Sequence, residues 1–382
     1  MITLLRTLSA PLISLVFMMM ASGLFNTFVS IRLEMEGFSP ESIGIVSSAS
    51  YLGILVGSMR IDRWISKVGH IRAYVVFACV LSVLALAQAF LIDIWYWSII
   101  RFLGGICMAG VFIVIESWML MQSAPNIRGI VISVYLAIFY AALSSGQLLI
   151  DLSDLSGILP FCIAAILSIF SIIPISIKKI AEPVMTETER LGLIQMYKIS
   201  PLGFIGGIIS GMLLAAVYSL IPVYANEVGM SVSQIGTLMA ILIFGGFCLQ
   251  WPLGYIADKS CRRKALILIS FATTLLASAI AFMSYGSFTS FFVLSWLFGG
   301  FSFALYPISM SYACQNVKDG QIVAATGGFV MSYSLGAIVG PLLAASAMGA
   351  FGSSGLFYFF GAITFSLGLI GLKRPAPAIL DE

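Results

Sequence analysis

The chain has 382 residues, of which 60% are hydrophobic and only 9% are charged, and its formal net charge is +3. A soluble domain of this length could not keep so much apolar surface in water, so the composition excludes a soluble globular class and indicates lipid as the solvent. The small positive charge reports membrane topology and gives no ground for nucleic-acid binding.

Breaks at charged or Gly/Pro clusters divide the chain into twelve apolar runs, each close to the ~20 residues that a spanning helix requires. In chain order the runs cover residues 11–33, 42–62, 72–92, 95–120, 129–151, 157–177, 201–226, 233–257, 264–285, 288–314, 321–348 and 354–372. None alternates as a membrane β-barrel strand does, so each run can satisfy its backbone only as a helix. We expect an all-α polytopic membrane protein with twelve transmembrane helices in two pseudo-symmetric six-helix bundles.

The second half of the chain repeats the first. The segment Gly37–Gly44 (GFSPESIG) recurs as Gly229–Gly236 (GMSVSQIG), and at the same offset Gly53 falls on Gly245. A membrane chain built from two tandem copies is most simply a transporter with its binding site between the halves. The predicted domains are an N-terminal six-helix bundle over 1–177, a cytoplasmic linker over 178–200 and a C-terminal six-helix bundle over 201–382.

Basic residues predict the topology. Every Lys and Arg except Arg32 and Arg101 falls on loops and helix ends of the side that carries both termini. Because Lys and Arg concentrate on cytoplasmic loops, we expect both termini to be cytoplasmic. The opposite ends of the spans are called the predicted outer end below.

The turn between the eighth and ninth runs places an acidic residue beside a basic cluster. It contains Gly254, Asp258, Lys259, Arg262 and Arg263. An Asp at the end of one helix can cap the next helix or pair with a cation, and the Arg side chains can bind carboxylates and C-terminal helix carbonyls of a facing bundle. We predict a gating latch here; anchoring of the charges at lipid headgroups is the alternative.

This turn and the six-plus-six plan resemble the major facilitator superfamily, whose members carry a GxLxDRxGRR motif. The first half has a divergent copy that contains Asp62, Lys67, Gly69 and Arg72, with Ser66 at the family's aspartate position. The resemblance implies a gating role for this turn as well. Asp62 is the candidate to replace the missing acid.

An arginine interrupts the fourth run. Arg101 begins the segment Arg101–Gly105 (RFLGG), which is similar to the family's helix-4 motif of an Arg followed by spaced glycines. An Arg within a span either snorkels, pairs with an acid or lines a wet cavity. We expect Arg101 to line a cavity, with Glu34 as its nearest carboxylate partner; snorkelling to the outer interface is the alternative.

Glu116 is the second charge of the fourth run, about 22 Å further along the helix axis. In members of the superfamily, a carboxylate here and an Arg at the start of helix 5 bind the basic turn of the first half. The resemblance therefore assigns Glu116 and Arg128 to gating, together with Lys67 and Arg72.

The eleventh run contains Gly336, Gly340 and Pro341, spaced as in a glycine–proline motif of the superfamily. Small residues at these intervals let helices approach closely, and the proline permits a kink. In the proton-driven drug antiporters this motif belongs to helix 5, where the present chain has Gln147 at the proline position. That departure argues against proton–drug exchange.

In this superfamily helices 1, 4, 7 and 10 line the central cavity, and helices 2, 5, 8 and 11 close its sides. The resemblance implies a substrate site formed by Asn26, Arg101, Met108, Phe112, Gln147, Tyr218, Gln250, Trp296, Phe303 and Tyr306. Aromatic, amide-bearing walls with one cation suit a small amphipathic or weakly anionic organic molecule. Packing between helices and positions at the membrane interface are the alternative roles of these aromatic residues.

We expect a secondary active or facilitative transporter that moves such a solute by alternating access, as a monomer in a bacterial inner membrane. Its partners are a small-molecule substrate, lipid and, as the candidate coupling ion, protons that act through Glu34 or Glu116; a uniporter needs neither group. A proton-coupled drug efflux antiporter and a transport-inactive receptor or scaffold are the alternatives. No nucleophile–base pair, metal-ligand set or P-loop appears in the sequence, so we expect no enzyme, cofactor or metal.

The chain has a single histidine, His70, which lies in the basic turn of the first half. We expect it to contribute surface charge there. A pH switch is the alternative.

Overall fold

The computed structural model of the protein describes residues 2–121, 123, 128–152, 154–177, 192–283, 288–315, 317 and 322–373. Within these ranges the chain is helical and contains no strand. Twelve segments are long and apolar enough to cross a membrane. The predicted all-α fold with twelve spans is therefore confirmed.

The first six spans end at residue 177. Their helices are α1 (Ile2–Met35), α2 (Pro40–Val68), α3 (His70–Ala87), α4 (Ile94–Met121), α5 (Arg128–Gln147), α6 (Leu159–Phe170) and α7 (Ile172–Ile177). A 3-10 turn over Leu148–Leu152 continues α5. The helices α6 and α7 together form the sixth span.

The last six spans follow a short helix. The elements are α8 (Leu193–Ile199), α9 (Pro201–Glu227), α10 (Val232–Lys259), α11 (Arg262–Phe282), α12 (Phe288–Cys314), α13 (Ile322–Phe351) and α14 (Gly355–Lys373). Four of these helices contain an internal proline: Pro222, Pro252, Pro307 and Pro341. Membrane helices tolerate proline because neighbouring groups satisfy the freed backbone carbonyls.

Helix α2 extends beyond the end of the predicted apolar run, so the basic turn that follows it is shorter than predicted. At its start, Ser39 is the N-cap and accepts a hydrogen bond from the Ser42 backbone N–H, and Pro40 is the first helical residue. At its other end the helix continues past Asp62 to Val68, and Gly69 terminates it with a φ of 94°. A side chain at this φ would be strained, so the turn requires glycine there.

The chain packs as two compact units. The first contains residues 1–187 and 217–244, and the second contains 188–216 and 245–382. The parts of α9 and α10 nearest the predicted outer end therefore pack with the first unit. The domain limits expected from the sequence repeat remain a prediction, and residues 178–191 of the expected linker lie outside the described ranges.

Glycines at two helix crossings organise the first unit. Where α1 crosses α5, a Cβ on Gly23 would overlap the carbonyl oxygen of Leu143, and one on Gly146 would overlap that of Met20. Where α2 crosses α4, a Cβ on Gly105 would likewise overlap the carbonyl oxygen of Ser50. Only residues without a Cβ allow such close backbone approach between membrane helices.

The second unit repeats the first of these crossings between α9 and α13. A Cβ on Gly211 would overlap the carbonyl of Tyr333, and one on Gly336 would overlap that of Ile208. Gly340 continues the contact one turn further, where its Cβ would meet the carbonyl of Met212. The tandem repeat therefore preserves a specific packing contact as well as the number of helices.

These contacts also correct the predicted alignment of the fifth and eleventh spans. Gly146 makes the contact that Gly336 makes in the repeat, whereas placing Gln147 at the proline position had implied that Gly146 matches Gly340. In this register Asp151, in the 3-10 turn after α5, stands opposite Pro341. Gln147 is therefore not the counterpart of the proline, but Asp151 takes that place, so the proline of the motif is absent from this span in either register.

Candidate functional site

The centre of the candidate site is a polar contact between α1 and α4. The Nη2 of Arg101 donates a hydrogen bond to Asn26 Oδ1 over 2.5 Å. Asn26 in turn donates from Nδ2 to Ser22 Oγ over 3.3 Å, which orients the amide so that its oxygen faces the guanidinium. Two of the predicted substrate residues are thereby brought together.

Aromatic side chains complete the surroundings of this arginine. The Cζ of Arg101 lies 5.6 Å from the ring centroid of Phe25, within the range of a cation–π contact. The Tyr51 hydroxyl is its electrostatic neighbour on α2. Phe25 itself packs edge-on against Phe161 of α6, with 6.1 Å between the ring centroids.

The sequence places Tyr51 here through the glycine crossing between α2 and α4. Tyr51 follows Ser50, whose carbonyl faces Gly105, and Gly105 lies one helical turn beyond Arg101. The close approach of the two backbones therefore brings the phenol towards the guanidinium. Sequence analysis missed both Phe25 and Tyr51, although paired glycines on neighbouring runs were the available signal.

The predicted pairing of Arg101 with Glu34 is wrong. Asn26 accepts from Arg101 instead, because it precedes Glu34 by about 12 Å along α1 and lies at the depth of the arginine. Glu34 accepts a hydrogen bond from the side chain of Asn226 in α9, and Glu227 is a neighbouring negative charge. The second carboxylate oxygen of Glu34 is buried without a hydrogen-bond partner.

Further contacts join α5 to α10 at the same end of the first unit. Ser144 Oγ donates to the carbonyl of Ala240 over 2.9 Å. The Cβ position of Gly236 lies 2.9 Å from the carbonyl of Gln147. Together with the Glu34–Asn226 bond, these contacts hold the outer parts of α9 and α10 against α1 and α5, which the sequence did not predict.

The other predicted substrate residues of the first unit have different surroundings. Phe112 and Met108 are half-buried on α4, and Phe112 lies 6.0 Å from Phe139. Tyr218 on α9 is also half-buried. Gln147 is fully buried and accepts a hydrogen bond from Thr27 Oγ1 over 2.5 Å, so it links α5 to α1.

Four predicted substrate residues lie in the second unit. Gln250, Trp296 and Tyr306 are half-buried, and the ring of Tyr306 lies 5.0 Å from that of Tyr333. Phe303 is fully buried and packs on Gly246, whose Cβ position lies 2.7 Å from the Phe303 ring. Since this ring fills a helix crossing, we omit Phe303 from the site that we propose.

Glu116 has a partner other than the predicted one. Tyr135 of α5 donates a hydrogen bond to its Oε1 over 3.0 Å, whereas the resemblance had implied the basic turn with Lys67 and Arg72. The two basic residues are exposed. The side chain of Arg128, predicted to act with them, lies outside the described part of the structure.

His70 is buried, which corrects the expected surface role. It is 2% exposed, and its Nε2 lies 3.1 Å from Ser117 Oγ of α4. Its ring also meets Trp118 edge-on, with 6.3 Å between the centroids. The position directly after Gly69 turns this side chain into the packing between α3 and α4.

The turn between α10 and α11 makes the ion pair expected of it. Arg262 Nη2 lies 3.2 Å from Asp258 Oδ1, across the turn. Lys259 Nζ lies 4.6 Å from the ring centroid of Tyr255. At Gly254 there is open space, because nothing lies within 4 Å of its Cβ position.

Arg263 binds C-terminal helix carbonyls, but not those of a facing bundle. Its Nε donates to the carbonyl of Gly371 over 2.9 Å, and its Nη2 donates to that of Leu372 over 3.2 Å. Both carbonyls belong to α14, which packs beside α11 in the same unit. A cation at the negative end of a helix dipole is stabilising, so this arginine ties α11 to α14.

Comparison with known proteins identifies the fold family. The chain matches the family model of the Major Facilitator Superfamily over residues 12–197 and 203–380. It is 30% identical over 373 residues to an uncharacterized MFS-type transporter, YcaD, of Escherichia fergusonii, with 97% of this chain and 96% of that protein aligned.

Solved structures agree with this assignment. The nucleoside transporter NupG superposes with a TM-score of 0.79 at 14% identity, covering 97% of this chain and 100% of that one. The Escherichia coli fucose:proton symporter FucP superposes with a TM-score of 0.62 at 12% identity, covering 97% and 100% of the two chains. At these identities the similarity shows the fold alone. The chain belongs to the major facilitator superfamily and is a transporter of that family.

Proposed function

We propose that the protein moves a small organic solute, amphipathic or weakly anionic, across a bacterial inner membrane by alternating access. The observation that carries the proposal is the arginine inside the fourth span, held by the neutral amide of Asn26 and the ring of Phe25. Placing Arg at the centre of a membrane helix costs about 2.5–3.5 kcal/mol or more, and Arg101, which lies within the span Ile94–Met119 but nearer its start, bears part of that cost. A polar group at such a cost is expected to serve a substrate or ion pathway.

The solute site that we propose has Arg101 and Asn26 at its centre. Phe112 and Met108 follow Arg101 on α4 and supply apolar surface. Gln147 acts indirectly, by fixing α5 against α1 through Thr27. In the second unit, the half-buried residues Gln250, Trp296 and Tyr306 remain proposed substrate residues.

Alternating access requires contacts that open and close. At the predicted outer end, the bonds Glu34–Asn226 and Ser144–Ala240 are the contacts that we propose to break when the site opens outward. Each is a single hydrogen bond, whose net contribution is about 0.5–1.5 kcal/mol. Contacts of this size can exchange without unfolding a helix.

Gating at the other end is assigned to the two basic turns. Asp258, Arg262 and Lys259 belong to the second turn, and Lys67 and Arg72 belong to the first. Asp62 on α2 is half-buried, and we propose that it acts as the acid of the first turn. Both termini are proposed to be cytoplasmic, with the repeat halves 1–177 and 201–382 as the moving bodies and the monomer as the transporting unit.

Coupling to protons is proposed to act through Glu116. It is a carboxylate in a membrane span, and its bonded partner is the neutral hydroxyl of Tyr135, so it can gain and lose a proton without breaking an ion pair. A uniporter would not need this group. A pH gradient that accelerates uptake in the wild type, but not in Glu116→Gln, would support coupling.

Purified protein in liposomes tests the proposal directly. We expect substrate-dependent counterflow for at least one solute of a panel of sugars, nucleosides, organic acids and drugs. Arg101→Gln should abolish the flux, whereas Arg60→Gln, which removes an exposed arginine of α2, should retain it. A folded wild-type protein without any flux would favour a transport-inactive receptor or scaffold.

A further inference from the structure

The guanidinium of Arg101 has hydrogen-bonding capacity that the protein does not use. Arginine carries five N–H donors in a planar fork. Nη2 binds the Asn26 amide, and Nε is buried without a hydrogen-bond partner. A buried donor left without a partner costs about 1–3 kcal/mol, and more when the group is charged.

No acidic side chain balances this cation among the residues that the structure describes. The acids at the end of α1 and just after it are engaged elsewhere: Glu34 binds Asn226, and Glu36 pairs with Arg32 over 2.7 Å. The acid of α4, Glu116, lies about 22 Å away along the helix. The neighbours of the guanidinium are instead a neutral amide, a phenol and a phenyl ring.

We infer that the ligand of this site carries a single carboxylate, bound by the Arg101 guanidinium through donors that include the unpartnered Nε. A carboxylate matches the guanidinium fork and can accept two parallel hydrogen bonds. Because Arg101 is the single cation that the described residues place at this site, a ligand with one negative charge is favoured over a ligand with two. The adjoining rings of Phe25 and Tyr51 favour a ligand with an apolar or planar body.

This inference rests on the proposed transport function, because it names the substrate class of the same site. It also explains the role of Asn26. The amide oxygen occupies one donor and fixes the arginine rotamer without neutralising its charge, so the positive charge remains for the ligand. An acid at the same position would satisfy the arginine permanently and would compete with the ligand.

Matched pairs of small molecules test the inference on the full chain in detergent. We would measure thermal stability and binding heat with acetate, butyrate and benzoate, and with the corresponding neutral amides, at equal ionic strength. A ligand that binds the folded state raises its melting temperature. We expect at least one carboxylate to stabilise the wild type while its amide does not.

Variants then assign the effect to the site. Arg101→Gln should abolish the carboxylate response, and Arg101→Lys should weaken binding at least tenfold, because an ammonium lacks the planar fork. Asn26→Asp should raise the melting temperature of the ligand-free protein and abolish the response, since its own carboxylate would occupy the guanidinium. Arg60→Gln is the matched control, and size-exclusion profiles would verify folding.

Several results would overturn the inference: carboxylates and amides acting alike, a carboxylate response that persists in Arg101→Gln, or unchanged binding in Asn26→Asp. These results are distinguishable from failure of the transport proposal. Flux of a neutral solute that survives Arg101→Gln would uphold transport and refute the carboxylate site. Carboxylate binding that requires Arg101, without flux of any solute, would uphold the carboxylate site and refute transport.

Discussion

Adding one methyl group to Gly105 should loosen the crossing that supports the candidate site, whereas the same change at Gly104 should not. A Cβ on Gly105 would lie 2.9 Å from the backbone nitrogen of Ile54 and would overlap the Ser50 carbonyl outright. Ordinary contact begins near 3.4 Å, so the backbones must separate by at least about 0.5 Å. On Gly104 the nearest atom is a Leu81 methyl at 3.8 Å, an ordinary contact.

The magnitude follows from two opposing effects. Replacing glycine by alanine within a helix favours folding by about 1 kcal/mol, and this gain should appear in Gly104→Ala. At Gly105 overpacking costs about 1–3 kcal/mol. Because the helical gain applies to both positions, we expect Gly105→Ala to be less stable than Gly104→Ala by the cost of overpacking alone, about 1–3 kcal/mol.

Unfolding in mixed micelles, followed by the SDS mole fraction at the midpoint, compares the two variants. Because Tyr51 adjoins Ser50, Gly105→Ala should also weaken carboxylate binding, and Gly104→Ala should leave it unchanged. Equal midpoints would refute the reasoning, since they would mean that α2 and α4 do not meet through their backbones at this crossing.

Three further predictions concern groups outside this crossing. Glu116→Gln should reduce transport at least tenfold while carboxylate affinity stays within about twofold. Tyr135→Phe, which removes the bonded hydroxyl, should share part of the transport defect. Unchanged flux in both variants would refute a role for the pair. Hydrogen bonds from Ser156, and then the charge of Arg32, lower the pKa of Asp154 in the turn before α6. The small stabilising effect of the Asp154 carboxylate should therefore be present at neutral pH and fade as the pH falls below 3.8. The melting temperatures of wild type and Asp154→Asn should converge in acid, and a lasting difference would contradict the hydrogen bond. Gly69→Ala should lower the melting temperature, because its φ of 94° strains any side chain; an unchanged value would show that the turn adapts.

The fold was predictable because the bilayer leaves few choices. A span needs ~20 apolar residues and a helical backbone, so twelve runs in the sequence became twelve spans in the structure. Their ends were less predictable. The second run continued through Asp62 to Val68 because helix formation depends on a terminating residue, here Gly69, rather than on where hydropathy falls.

The site was predictable only in its most costly residue. Arg101 stands out in sequence because a charge within a span requires a reason. The partner of Arg101 does not stand out in the sequence, because the rotation of α1 about its own axis decides whether Asn26 or Glu34 faces the arginine. The same limit explains why Phe303 was taken for a cavity residue and His70 for a surface residue, although both side chains are buried.

The repeated glycine crossing has a consequence for how the two halves of the chain diverged. After duplication of an ancestral half, the pairs Gly23–Gly146 and Gly211–Gly336 both retained the absence of a side chain. Other positions differ in chemistry between the copies: in the register set by the contacts of Gly53 with Phe102 and of Gly245 with Trp296, Arg101 corresponds to Ser295. The two copies thus share residues whose contribution is empty space, and a different side chain elsewhere in one copy does not require this framework to be rebuilt.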